Sequence, residues 1–125
     1  MTTRKPTGSP SSRRWLITDN TIAEDFNTES YKDKFGDKVK FATWQKEKAA
    51  SGKVHIQAYI KMVKTTRLTG MKELLGMVHA EVAKGNDEQC VAYCSKEDTR
   101  LEGPWEFGIK PARKNVKGET KERNQ

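Results

Sequence analysis

Hydrophobic and polar residues alternate most strictly over Val54-His55-Ile56-Gln57-Ala58-Tyr59-Ile60-Lys61. A strand turns successive side chains to opposite faces, so Val54, Ile56, Ala58 and Ile60 are expected to face a core. His55, Gln57 and Tyr59 then share the other face. Residues 38–46, rich in Val, Phe, Thr and Trp, predict a preceding strand. The loop over 48–53 would join the two as a hairpin. Arg14-Trp15-Leu16-Ile17-Thr18 predicts a short first strand that ends at the turn residues Asp19-Asn20. Weak helical patterning follows over 21–35, with Ile22, Phe26 and Tyr31 as anchors and Gly36 as a stop. Leu68, Met71, Leu74 and Leu75 recur at helical spacing and predict a helix over 67–75, capped by Thr65 or Thr66 and ended by Gly76. Val78, Ala80 and Val82 alternate again as a strand. Residues 87–96 read as a helix capped by Asn86 or Asp87, and 105–109 as a final strand.

The order strand, helix, hairpin, helix, strand, helix, strand predicts an α+β fold. Its centre is an antiparallel sheet with helices packed on one face, of the ferredoxin-like or RNA-recognition type. The open face is where functional polar groups would stand. A length of 125 residues fits one domain, placed at 13–109. Residues 1–12 are polar and basic and are expected to be disordered. Residues 110–125 read as a basic linker or tail. The amino terminus lacks the apolar run of a signal peptide, and no segment approaches the ~20 apolar residues of a membrane span, so no membrane partner is expected. Cys90 and Cys94 lie four apart, a spacing that suits reduced thiols in an intracellular compartment better than a disulfide.

The net charge of +7 points toward nucleic acid, but its distribution changes that picture. Residues 1–14 hold four Lys or Arg and no acid, and 110–125 hold six against two acids. The 14 basic and 15 acidic residues left between them nearly cancel. Contacts to nucleic acid within the domain must therefore come from placed groups, with the tails adding salt-sensitive attraction.

Four clusters carry possible chemistry. His55 and Gln57 could present an imidazole and an amide oxygen to a metal, although any half-exposed strand offers such a pair to water. If the hairpin pairs residue 47 with 55, Glu47 joins them, while a one-residue slip sends it to the other face. A carboxylate, an imidazole and an amide favour Mg²⁺ or Mn²⁺ over a thiolate-seeking metal. Tyr93 and Lys96, three apart on one helix face, offer a phenol beside a cation. A phenol is a poor nucleophile at neutral pH, and a nearby cation with a metal-bound phosphate favours its anion. The bland counterpart is a packed tyrosine with a surface lysine. Glu97 is placed to reach the metal or orient Lys96, or simply to be solvated. Cys90, Cys94, His55 and His79 could be assembled into a zinc site, but paired close spacing is lacking on the histidine side. No Gly-rich phosphate loop is present. Trp15, Phe41, Trp44, Tyr59 and Trp105 offer possible base-stacking surfaces, with Tyr59 the best candidate for the open face by parity.

Three strings in order carry a resemblance: Trp15-Leu16-Ile17-Thr18-Asp19-Asn20, His55-Ile56-Gln57 and Tyr93-Cys94-Ser95-Lys96. Over residues 14–109 the chain resembles the amino-terminal HUH endonuclease domain of the rolling-circle replication initiators, or Rep proteins, of circular single-stranded DNA viruses. The stretch 59–108 is especially similar to nanovirus and satellite forms. The resemblance implies a nicking and joining enzyme acting on single-stranded DNA at a viral origin stem-loop. Tyr93 would be the nucleophile that becomes linked to a 5′-phosphate, and Lys96 its electrostatic helper. Glu47, His55 and Gln57 would be ligands of Mg²⁺ or Mn²⁺, with Glu97 as a further candidate. Gln57 departs from the usual second histidine, which shifts the preference toward those two ions. Arg14, Trp15, Asp19, Asn20 and Tyr59 are candidate DNA contacts. The family's helicase domain is missing from this sequence, so the isolated domain is expected to be a monomer that does not unwind duplex. Its expected setting is the host nucleus. The competing expectation is a non-catalytic single-stranded nucleic-acid-binding module on the same scaffold.

Overall fold

A computed structural model describes residues 10–111. Five strands form one antiparallel sheet: β1 Ser11–Asp19, β2 Val39–Lys48, β3 Val54–Arg67, β4 His79–Val82 and β5 Arg100–Gly108. Their spatial order is β4-β1-β3-β2-β5. A 3-10 helix, Thr28–Lys34, and two α-helices, α1 Leu68–Leu75 and α2 Asp87–Tyr93, complete the α+β fold. Residues 1–9 and 112–125, which include most of the expected disordered terminus and basic tail, lie outside the described residues.

The alternation of β3 does what its pattern dictates. Ile56, Ala58 and Ile60 meet Trp15, Ile17, Ala42 and Trp44 on one face, where Tyr31 and Phe35 of the 3-10 helix and Met71 and Leu75 of α1 close the core. The Trp44 indole donates to the Thr28 carbonyl at 2.9 Å and meets the Phe35 ring edge-on at 5.4 Å. The opposite face carries a smaller apolar cluster, in which Cys90 of α2 and Cys94 at its C-cap lie with Phe41 and Tyr59. Helices therefore cover both faces, not one. The reason lies in the parity of Phe41 and Tyr59, which put apolar surface on the second face for α2 to bury.

Other differences have local causes. Ser11 and Ser12 pair with Arg67 and Thr66, so β1 starts earlier than its apolar run and β3 continues past its own. Backbone pairing at a strand's end needs no apolar side chain. The anchors Ile22, Phe26 and Tyr31 do pack on the core, but only Thr28–Lys34 is helical. Asp19 ends β1 by accepting from the Thr21 amide at 2.9 Å and from the buried Tyr31 hydroxyl at 2.9 Å. Neither Thr65 nor Thr66 caps α1, whose cap position is Arg67 without a side-chain bond. β5 begins at Arg100, before the strand expected at 105–109, and runs through Gly103 and Pro104, residue types that disfavour strand interiors. At its end Gly108 has φ +85°, and a Cβ there would lie 2.1 Å from the Lys40 carbonyl oxygen.

Candidate active site

The hairpin register pairs Glu47 with His55 and Gln45 with Gln57, which sets all four side chains on the second face. Thr18 of β1 stands opposite Gln57 on that face. Glu47 is 2 % exposed. Its Oε1 lies 3.2 Å from His55 Nε2, and Lys96 Nζ donates to both carboxylate oxygens, at 3.1 and 3.2 Å. Gln57 donates to the Ile17 carbonyl at 3.1 Å, and its Oε1 accepts from the Thr18 hydroxyl at 3.2 Å. That oxygen keeps a second lone pair.

α2 brings the phenol to this end of the sheet. Its first turn is fixed by a capping box: Asn86 accepts from the Gln89 amide, and the Gln89 side chain accepts from Asn86. The helix stops at Tyr93, with Cys94 at φ −90° and ψ 6°, and does not run on to Lys96. Tyr93 and Lys96 therefore do not share a helix face. The turn nevertheless returns Lys96 Nζ to 4.8 Å from the centre of the Tyr93 ring. Tyr93 is 50 % exposed, with a small cavity of about 280 Å³ beside it. One ammonium thus touches both the buried carboxylate and the exposed phenol ring.

A carboxylate oxygen, an imidazole nitrogen and an amide oxygen make a donor set that fits a hard divalent cation. Glu97 does not join it. Glu97 is exposed beyond the turn, and no three His, Cys, Asp or Glu side chains converge as a metal cluster among the described residues. The zinc arrangement fails for the same reason. His79 faces Glu81 at the surface, and burial pushes the Cys90 thiol up and the Cys94 thiol up to about 12.

Four of the five candidate DNA contacts are committed elsewhere. Trp15 is fully buried in the core and donates to the Ser12 carbonyl. Asp19 is buried against Tyr31 and Thr21. Tyr59 does share a face with His55 and Gln57, but α2 covers it completely, so it offers no stacking surface. Its hydroxyl donates to Asp87 at the start of α2. Arg14 donates twice to the Gly85 carbonyl, at 2.9 and 2.8 Å, and once to the Tyr59 hydroxyl. Asn20 alone among them is exposed, while Arg14 is half-buried.

The Arg14, Tyr59, Lys61 and Asp87 cluster pins the helix that carries Tyr93. Burial raises the Tyr59 hydroxyl, reinforced by its bond to Asp87. For Asp87, burial works upward, but bonds from Tyr59 and Lys61 and the nearby Arg14 charge hold its carboxyl below the ordinary value. A depressed folded-state value contributes stability above the unfolded value and loses it as pH falls through the folded one. Asp87→Asn is therefore expected to melt below the wild type at pH 7, with the gap shrinking under acid. Thermal melts at pH 7 and pH 3 check this, and an equal gap at both would refute it.

Gln45 escaped the sequence reading. It is fully buried, and its amide donates to Glu47 Oε2 at 2.8 Å and to the Lys96 carbonyl at 2.8 Å. The available signal was parity: on β2 it stands two residues before Glu47.

Residues 12–97 match the family described as "Putative viral replication protein". The chain is 47 % identical over 72 residues to the Master replication protein of Faba bean necrotic yellows virus (isolate Syrian SV292-88), covering 58 % of this chain and 25 % of that protein. It is 47 % identical over 70 residues to the Master replication protein of Milk vetch dwarf virus (isolate N), covering 56 % and 24 %. Para-Rep C1 of Faba bean necrotic yellows C1 alphasatellite is 38 % identical over 90 residues, covering 71 % and 32 %. The matched region thus spans about a quarter to a third of these relatives' lengths.

Proposed function

The chain belongs to this family of viral replication proteins, and from that premise we propose that residues 13–109 nick and rejoin single-stranded DNA at a viral replication origin. The observation that carries the reading is the shared ammonium of Lys96, bonded to the buried Glu47 carboxylate and 4.8 Å from the half-exposed Tyr93 ring. A phenol beside a cation, with a carboxylate and an imidazole behind it, is suited to attack on a phosphodiester.

In this reading Glu47, His55 and Gln57 would hold Mg²⁺ or Mn²⁺, which when bound polarises a phosphodiester oxygen. Tyr93 Oη forms a bond to phosphorus as the bond from phosphorus to the 3′-oxygen breaks. The phenol proton passes to water and the departing 3′-oxygen gains one. The 5′-phosphate stays on Tyr93, and attack by a 3′-hydroxyl reverses the step and joins the ends. Lys96 faces the charge that builds on the phosphate. The partner is the exposed strand at the tip of an origin stem-loop. Residues 13–109 would act on strands already exposed, and the setting would be the nucleus of an infected cell.

Denaturing electrophoresis after mixing the chain with origin oligonucleotide and Mn²⁺ tests the reading. A denaturant-resistant band that chelator abolishes is expected. Tight binding without any adduct would leave a binding module instead. That alternative is weakened by the burial of Trp15, Phe41, Trp44 and Tyr59, which withdraws most of the candidate stacking surfaces from solvent. Gln57→His exchanges an amide oxygen for an imidazole and is expected to tighten Mn²⁺ binding without moving the nick. Unchanged affinity by calorimetry would put Gln57 outside the metal's ligands.

A further inference from the structure

We infer that Gln45 is a positioning residue that ties the metal-binding carboxylate of Glu47 to the turn carrying Lys96, and thereby sets metal affinity and the placement of the Tyr93 turn together. The inference rests on the metal-dependent nicking reading and extends it to a residue that would touch neither metal nor DNA.

Both protons of the Gln45 amide are used. One goes to Glu47 Oε2 and the other to the main-chain carbonyl of Lys96, each at 2.8 Å. The first bond fixes the carboxylate rotamer, so that Oε1 is the oxygen facing His55 Nε2 at 3.2 Å. The second joins the main chain of a turn that has left the helix to the same strand whose Glu47 holds the Lys96 ammonium. The Ser95 hydroxyl on the Val91 carbonyl and Arg100 on the Ser95 carbonyl, at 3.2 Å, fix the turn's other side. Outer partners of metal ligands commonly act in this way.

The rest of the amide argues that stability is not what Gln45 serves. Its Oε1 is buried without a hydrogen-bond partner among the described residues, a costly state for a carbonyl. Flipping the amide would not cure it, because the oxygen would then meet the Glu47 carboxylate and the Lys96 carbonyl. An unbranched apolar side chain would fill the same space and remove the orphaned Oε1, in exchange for the donor to the Lys96 carbonyl. Glutamine at this position is explained by what its two N–H groups hold.

Gln45→Met is the test, read by calorimetric Mn²⁺ titration of the full chain without DNA, alongside thermal melts and the rate of adduct formation. Mn²⁺ affinity is expected to fall about 10–100-fold and the adduct rate with it, while the variant still melts cooperatively as a folded domain. Wild-type Mn²⁺ affinity in a folded Gln45→Met overturns the inference and leaves the nicking reading intact. Should that variant fold poorly, Gln45→Asn keeps the amide but is one methylene too short to span both partners. A folded Asn variant with wild-type affinity overturns the inference equally. No Mn²⁺ binding by the wild type overturns the functional reading, and the inference with it.

Discussion

Tyr93→Phe is expected to abolish the covalent DNA adduct while leaving the domain as stable as before. The substitution removes one oxygen and keeps the ring that Lys96 Nζ approaches at 4.8 Å. Tyr93 is half exposed, and surface changes of this kind stay within about ±0.5 kcal/mol. Loss of a nucleophile cannot be compensated by its neighbours, so adduct formation should fall by at least about 1,000-fold. Binding of the oligonucleotide should persist, since the charge and shape of the face are unchanged. The decisive pair of measurements is the denaturing gel for the adduct and a mobility shift for binding. A Phe variant that still forms adduct at the wild-type rate would assign the chemistry to another group, and Tyr93 would become an ordinary exposed aromatic.

Trp44→Ala is the complementary case, in which the fold is weakened. Trp44 is fully buried, bonded through its indole to Thr28, and packed on Phe35 and Tyr31 with ring centres at 5.4 and 6.4 Å. Truncating such a residue costs about 3–5 kcal/mol through lost burial and the cavity left behind. A domain of this size holds only about 5–15 kcal/mol in all. The variant is expected to melt well below the wild type and to loosen the site as well, because Gln45 and Glu47 follow on the same strand. Urea titration of wild type and variant measures the difference. A loss of under about 1 kcal/mol would mean that the two aromatic neighbours repack to fill the space.

What could be read from the sequence was what lies in one strand's period. The alternation over 54–61 gave both the core set and the face of His55 and Gln57, and the short hairpin loop made the Glu47 and His55 pairing one of two possible registers. Where side-chain period carries no signal, the reading failed. Ser11 and Ser12 join the sheet through backbone bonds alone, and Gly103 and Pro104 disguise the first half of β5. Parity placed Tyr59 on the correct face but could not say that α2 covers it, because which helix lies over which face is a tertiary fact. The proximity of Lys96 to Tyr93 held although its stated cause, a shared helix face, did not. Gln45 was passed over because parity with Glu47, its one signal, is shared by every second residue of the strand. Its importance comes from a carbonyl 51 residues away.

β3 is hydrogen-bonded on both sides and carries the core on one face and His55 and Gln57 on the other. For protein engineering, this makes folding and chemistry two separately addressable alphabets written on alternate letters over residues 54–57, before Tyr59 joins the apolar cluster under α2. Libraries confined to 55 and 57 can retune the reactive centre without entering the alphabet that specifies the fold. An inserted or deleted letter within that stretch would exchange the two alphabets and leave neither legible.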